Sequence, residues 1–406
     1  MRSLLSLLAA VEVSTAAATP LWVSKRSEPI GQMLGGASCK CFPGEACWPS
    51  QQDWASFNQS VDGRLIATVP IGSVCHGNDA TYDAGACTKL QADWHNPETH
   101  EASSSSIMAP FFANLSCDPF QSRDKQCVTG TYIQYAVNVS EISHVQKTLA
   151  FAKKRNLRFV VRNTGHDYFG KSSGAGALAV WTHHLKSFEV SDYRSPHYRG
   201  KAIKLGAGAI IDEASAQANQ AGLSIVGGEC PTVGLSGGFT QGGGLGPLAS
   251  KYGMGADQVL EWKVVLADGK VVTATPTCHS DLYWALSGGG GGTFGVVWEM
   301  TIKGHQNEIT SAANLTFAIK SSPSEDAFYQ GVKAFHEVLP SLTEAGAGAL
   351  YYVQAGAFAL VPAVGPGLEK AKLDSILKPF VDRLDELRIQ HRKFLRILLL
   401  FGKHRT

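Results

Sequence analysis

Between residues 131 and 161 the chain reads strand, helix, strand, and that order restricts its fold more than any other feature. TYIQYAVNV (131–139) alternates and is rich in β-branched and aromatic residues, which suits a strand. Ser140-Glu141 opens an amphipathic helix with Ile142, Val145, Leu149 and Ala152 on one face and Ser140 as its N-cap. LRFVV (157–161) is the next strand and completes a βαβ unit. Strands are expected at 177–181, 202–207 and 223–226, with a helix over 211–221. VLEWKVVLADGKVVTATP (259–276) reads as a hairpin turning at Asp268-Gly269. A short helix over 280–286, capped by Ser280, leads into a glycine run that returns to a strand.

Beyond residue 305 the glycines thin out. NLTFAIK (314–320) and LYYVQAGAFALVP (350–362) read as strands, with a helix over 325–339 between them. The segment 368–387 is a second amphipathic helix with Leu373, Ile376, Phe380 and Leu384 inward and Pro379 as a kink point. Residues 388–406 are basic with a bare ILLLF run. They read as an exposed amphipathic helix, a membrane-surface helix or a wrong-frame ending, the last being preferred.

The first 18 residues read as an export signal: Arg2, the short apolar core SLLSLLAAV, then small residues for cleavage after 16–18. Glu12 is irregular for such a signal, and the run is too short to span a bilayer. Lys25-Arg26 is either a dibasic processing site or a surface pair. Four sequons, at Asn58, Asn114, Asn138 and Asn314, are glycan acceptors in an exported chain. Nine cysteines fit an oxidising compartment. Seven precede residue 128, which makes 19–125 a stapled, loop-rich region; Cys75/Cys87 and Cys117/Cys127 are plausible local bridges. The odd total leaves at least one thiol unpaired or bonded to something other than cysteine. No metal site is expected. A net charge of +2 gives no electrostatic case for a nucleic-acid partner. No long uncharged apolar stretch suggests an integral membrane span.

Three segments carry the chemistry: RNTGHDYFG (162–170), GECPTVGLSGGFTQGGGLG (228–246) and SGGGGGTFG (287–295). Glycine-rich loops let backbone N–H groups approach phosphates or a flat ring. Neither glycine loop is followed by Gly-Lys-Ser/Thr, and neither is G-x-G-x-x-G after a first strand, so nucleotide triphosphates and nicotinamide dinucleotides are poorly supported. His166 sits where the chain leaves a buried strand through a turn, and Cys230 sits in Cys-Pro-Thr-Val. His183-His184, near a strand end, reads as surface or cofactor-lining.

Taken in order, these segments and Tyr252-Gly253-x-Gly-Ala-Asp257 resemble the berberine-bridge-enzyme-like flavin oxidases, in their secreted fungal form. These belong to the vanillyl-alcohol oxidase/p-cresol methylhydroxylase superfamily. The resemblance covers about 39–360 and is strongest over 132–302. It implies an α+β chain with a two-subdomain FAD-binding domain of the p-cresol methylhydroxylase type at 126–304. An α+β substrate domain at 305–387, C-terminally truncated, and an atypical basic tail at 388–406 would follow. It implies a bond from His166 to the flavin 8α-methyl group and one from Cys230 to flavin C6. Arg162, Asn163, Thr164, Gly165, Asp167 and Gly170 would contact the cofactor in the histidine loop. Thr232, Gly234, Gly237, Gly238, Gly242, Gly243 and Gly244 would do so in the second loop, and Gly295 and Val296 after the third. Such an enzyme takes a hydride from an alcohol, sugar or secondary-metabolite substrate and passes electrons to O2. The rivals are a flavin dehydrogenase that does not use O2 and a non-catalytic flavin-fold protein. The catalytic base is unassigned; Tyr351 and Tyr352 are available to serve.

Overall fold

The computed structural model describes residues 39–77, 80–354 and 356–399. The export-signal and Lys25-Arg26 readings lie outside the described residues.

Two sheets flank the glycine-rich segments. The first has the order Leu65–Ala67, Tyr135–Asn138, Ala177–Trp181, Arg158–Arg162. The two strands of the βαβ unit are not adjacent: each pairs in parallel with Ala177–Trp181, which lies between them. That central strand is buried throughout, as expected where both faces are covered. The crossover helix Ile142–Lys154 buries Val145 and Ala152, with Ile142 and Leu149 packed alongside. Its N-cap position is the extended Glu141 (φ −138°, ψ 152°), not Ser140, whose N–H donates to His144 Nδ1 at 3.3 Å. The second sheet is antiparallel: Phe188–Arg194, Arg199–Gly206, Val296–Lys303, Val259–Val265, Val271–Ala274. It contains the expected hairpin, and Trp262, Met300, Leu205 and Ile203 fill its core. Residues 223–226 form only a two-residue strand, Leu223–Ser224, paired with His305–Gln306. The helix Ser280–Leu286 has the left-handed His279 at its N-cap position, and Ser280 is its first residue rather than its cap.

The N-terminal region is more regular than its sequence suggested. Helices Gln51–Ser60 and Ala84–Asp93 are capped by Ser50 and Asp83, and a helix Pro97–Glu101 follows. Trp54 and Phe57 of the first stack on Tyr135 and Phe151. Disulfides join Cys75–Cys87 and Cys117–Cys127, and also Cys41–Cys47.

A third sheet, Gly348–Gln354, Ala357–Pro366, Ile309–Ala318, His391–Leu399, is antiparallel. Helices Glu325–Glu344 and Lys370–Glu386 meet it through Phe317, Phe328, Phe335, Phe358 and Phe380. The first of these helices runs past its expected end at 339 and through Pro340. Leu342 is fully buried beyond that point, and Thr343 Oγ1 donates to the Pro340 carbonyl at 2.9 Å. The described part of the basic tail holds a strand, His391–Leu399, and not an amphipathic helix. The unpaired edge of Ile309–Ala318 supplies backbone partners, and Asn314 faces Phe394 in that ladder. Among the described residues no helix is long and apolar enough to cross a membrane.

Candidate cofactor site

The three chemistry-bearing segments converge on one cleft of about 1090 Å³. The strand Arg158–Arg162 delivers the first of them. Its last residue, Arg162, is fully buried, and Nη2 donates to the carbonyls of Ser103 (2.8 Å), His100 (3.3 Å) and Ser106. Among the described residues Nε and Nη1 have no hydrogen-bond partner, and no carboxylate forms an ion pair with the group. Burial pulls its pKa down to about 9, so it remains a cation at neutral pH. Arg162 therefore lies behind the cleft wall, tying it to the N-terminal region, rather than on its surface.

Past Arg162 the chain must turn sharply. Gly165 adopts φ +86°, and a Cβ there would lie 2.8 Å from the Ser106 carbonyl oxygen, so glycine is required. Asp167 curls the turn by accepting from the N–H groups of Phe169 (2.8 Å) and Ser172 (2.9 Å). Asn163 donates to the Ala207 carbonyl at 3.0 Å, and its own carbonyl accepts from Trp181 Nε1 at 2.9 Å. Asn163, Thr164, Gly165, His166 and Asp167 all line the cleft. Gly170 does not; it packs against Phe112.

The second segment forms the opposite wall with Cys230, Gly234, Gly237, Gly238 and Gly242. Its close approach to the first is set at Gly234, where a Cβ would lie 2.3 Å from Asn163 Nδ2. Gly243 (φ +107°) and Gly244 (φ +79°) form the tight turn behind that wall, locked by the Gly255 N–H donating to the Gly244 carbonyl at 2.7 Å. The glycine run docks on this loop: the N–H groups of Gly288 and Gly290 donate to the Gln241 carbonyl at 3.1 and 2.8 Å. Gly295 and Val296 sit off the cleft. Val296 belongs to the core, and a Cβ on Gly295 would meet Val264 at 2.6 Å.

His166 and Cys230 face each other, with His166 Nε2 4.0 Å from Cys230 Sγ. The same nitrogen lies 2.6 Å from Thr232 Oγ1, and Thr232 is buried. Burial, reinforced by His100 and opposed by Glu98, pushes the His166 pKa down to about 4, so its imidazole is neutral at pH 7. The N-terminal region also contributes to the cleft, with Trp94, His100 and Met108. His100 is fixed between the Trp94 carbonyl (2.7 Å) and Ser106 Oγ (2.8 Å). Sequence reasoning missed these residues, since no spacing in 94–110 marks them. His183 does not line the cleft; it supports Asn163, which does, through a contact from Nδ1 to Asn163 Oδ1 at 3.3 Å. Tyr351 and Tyr352 do not line the cleft; Tyr351 Oη pairs with His336 Nε2 at 3.2 Å.

A long, flat, phosphate-bearing dinucleotide suits this site. Glycine backbone forms both walls, a buried uncompensated cation lies beneath the histidine turn, and a neutral imidazole and a thiol face each other.

Two further histidines set an acid limit on stability. Burial first, and nearby lysines second, push His183 and His305 down to about 4 from an ordinary 6.5. Below 6.5 the unfolded chain binds protons that the folded chain refuses. Their contribution is therefore complete above pH 6.5 and is lost as pH falls toward 4. Glu101 and Glu229, pushed up by burial, oppose this over part of the window. The urea midpoint should be lower at pH 5 than at pH 7.5; an equal or higher midpoint at pH 5 would show these imidazoles to be solvated.

An FAD binding domain model matches residues 133–275. FAD-linked oxidoreductase sor8 of Hypocrea jecorina is 59% identical over 355 residues, covering 87% of this chain and 61% of that protein. FAD-linked oxidoreductase sthB of Phaeosphaeria nodorum is 46% identical over 285 residues, covering 70% of this chain and 90% of that one. The crystal structure of the VAO-type flavoprotein MtVAO615 from Myceliophthora thermophila superposes with a TM-score of 0.86 at 45% identity, covering 89% of this chain and 66% of that one. The chain thus spans about three fifths of the length of several curated relatives it matches.

Proposed function

Since the chain belongs to the berberine-bridge-enzyme-like, FAD-linked oxidoreductases of the VAO-type superfamily, we propose that it is a secreted oxidase that holds FAD covalently through His166 and Cys230. The observation that supports this best is the placement of His166 and Cys230 on opposite walls of one cleft, 4.0 Å apart. That spacing lets one aromatic ring system lie against both side chains.

Bound there, FAD would supply a two-electron acceptor for a hydride from substrate carbon, with O2 as the final electron acceptor. The balance is complete: substrate loses two electrons and two protons, and O2 leaves as H2O2. The protein binds, orients and tunes. Asn163, Gly234 and the glycine run shape the walls, and the turn from Thr164 to Tyr168 would offer backbone N–H groups to the diphosphate, the Phe169 N–H being taken by Asp167. Arg162 supplies the fixed positive charge below that turn. His166, neutral at pH 7, has a nitrogen lone pair available for bonding. Two attachments raise the acceptor's potential, which favours oxidation of an unactivated alcohol, sugar or secondary-metabolite carbon. Secondary-metabolite biosynthesis is the proposed setting. The three disulfides support an oxidising compartment. Asn114 and Asn314 are exposed and are the better glycan acceptors. Asn58 and Asn138 are half-buried, with their side chains bonded to the Leu65 N–H and to His184.

Peptide mass spectrometry on the purified protein tests the reading. One flavin should bridge the peptides that carry His166 and Cys230, and a substrate screen should then release H2O2. Colourless folded protein without an adduct would refute it. Turnover with an artificial acceptor but no peroxide would make the chain a dehydrogenase.

A further inference from the structure

The hydrogen bond between His166 and Thr232 joins two loops that are 66 residues apart in sequence. At 2.6 Å it is short for a neutral pair, and Thr232 is 3% exposed. It is the one hydrogen bond of the Thr232 hydroxyl among the described residues, so that hydroxyl is committed to Nε2. Nδ1 of His166 has no hydrogen bond among the described residues. A neutral imidazole has one N–H and one lone pair. With the N–H on Nε2, donated to Thr232 Oγ1, the lone pair is on Nδ1, where it can form a bond. Once Nδ1 has been alkylated, Nε2 holds the lone pair and the threonine hydroxyl can donate to it instead. A hydroxyl serves both states; a methyl group serves neither.

We propose that Thr232 is a positioning residue for covalent capture of FAD: it holds His166 by Nε2 and so fixes the ring orientation in which Nδ1 is free to form the bond. This rests on the covalent reading above. In the step it assists, a C–N bond replaces one C–H of the flavin methyl group and the imidazole N–H. The two protons and two electrons pass to the ring system, from which O2 removes them as H2O2. Cys230 Sγ lies 4.0 Å from Nε2 against 2.6 Å for Thr232 Oγ1, and among the described residues no hydrogen bond joins that thiol to the threonine hydroxyl.

The test compares Thr232→Val, Thr232→Ala and Thr232→Ser in the full chain. Flavin on the His166 and Cys230 peptides is quantified separately, and total bound flavin per chain is measured before denaturation. In Thr232→Val and Thr232→Ala the His166 adduct should form roughly tenfold more slowly or worse, the scale of one lost hydrogen bond to a reacting group. The Cys230 adduct and total flavin should hold, and Thr232→Ser should restore the His166 adduct. An unchanged His166 adduct in Thr232→Val or Thr232→Ala overturns the proposal. So does parallel loss of both adducts with total flavin, since Thr232 would then support the cleft as a whole; if neither variant folds, failure of Thr232→Ser to form the His166 adduct overturns it. Absence of a His166 adduct in the unsubstituted chain refutes the covalent reading itself, and is seen before any variant is made.

Discussion

On the proposed covalent attachment, the unsubstituted protein should keep its flavin through denaturation, and replacing both His166 with alanine and Cys230 with serine should make it release all of it. Each single variant should retain flavin through the other residue, because the two side chains sit on separate loops and reach the cleft independently. The double variant should still bind FAD when folded, since the glycine walls, the histidine turn and buried Arg162 are untouched. Its turnover should fall by roughly tenfold or more, about 1.4 kcal/mol of barrier, because the acceptor loses the electronic effect of both attachments. Acid precipitation followed by absorbance of the pellet and supernatant reads the result directly. Flavin that stays with the double-variant pellet would mean that another side chain forms the bond.

The second large effect concerns backbone rather than chemistry. Gly246→Ala should destabilise the protein by about 3 kcal/mol and lower its flavin content. A Cβ there would lie 2.0 Å from the Gly227 carbonyl oxygen and 2.9 Å from its carbon, and neither atom belongs to a side chain that could swing aside. That contact closes the base of the loop carrying Cys230 and the glycines 234–244, so relieving the clash must shift the cleft wall. Gly238→Ala provides the contrast, because a Cβ at Gly238 meets nothing within 4 Å and Gly238 lines the cleft. The unloaded Gly238→Ala protein should melt as the parent does, yet bind less FAD. Thermal melting with and without FAD separates the two cases; equal melting of Gly246→Ala and parent would show that the loop base is loose.

Much of this was legible from residue order. Ala177–Trp181 announces itself by a short apolar run, and the hairpin of Val259–Val265 with Val271–Ala274 by its valines and an Asp-Gly turn. Cys75/Cys87 and Cys117/Cys127 followed from proximity in sequence. The N-terminal helices were hidden because Ala84–Asp93 buries nothing and carries little apolar periodicity. The tail reads in sequence as a wrong-frame ending or a helix because backbone pairing, which decides a strand, depends on the free edge of Ile309–Ala318 some 80 residues earlier. Arg162 was read as a cofactor contact because motif order cannot tell the front of a wall from its back.

By itself the sequence determined the βαβ unit, the Asp-Gly hairpin and the family, and it marked His166 and Cys230 as the candidates to hold a flavin. These follow from local periodicity and from rare residue types in a fixed order, which need no knowledge of distant contacts. Only the tertiary structure decided that His166 and Cys230 meet, that Thr232 holds the imidazole, and that Trp94, His100 and Met108 share the cleft. Those facts depend on packing between segments 60 or more residues apart, where a few tenths of an ångström at Gly234 or Gly246 set which atoms touch.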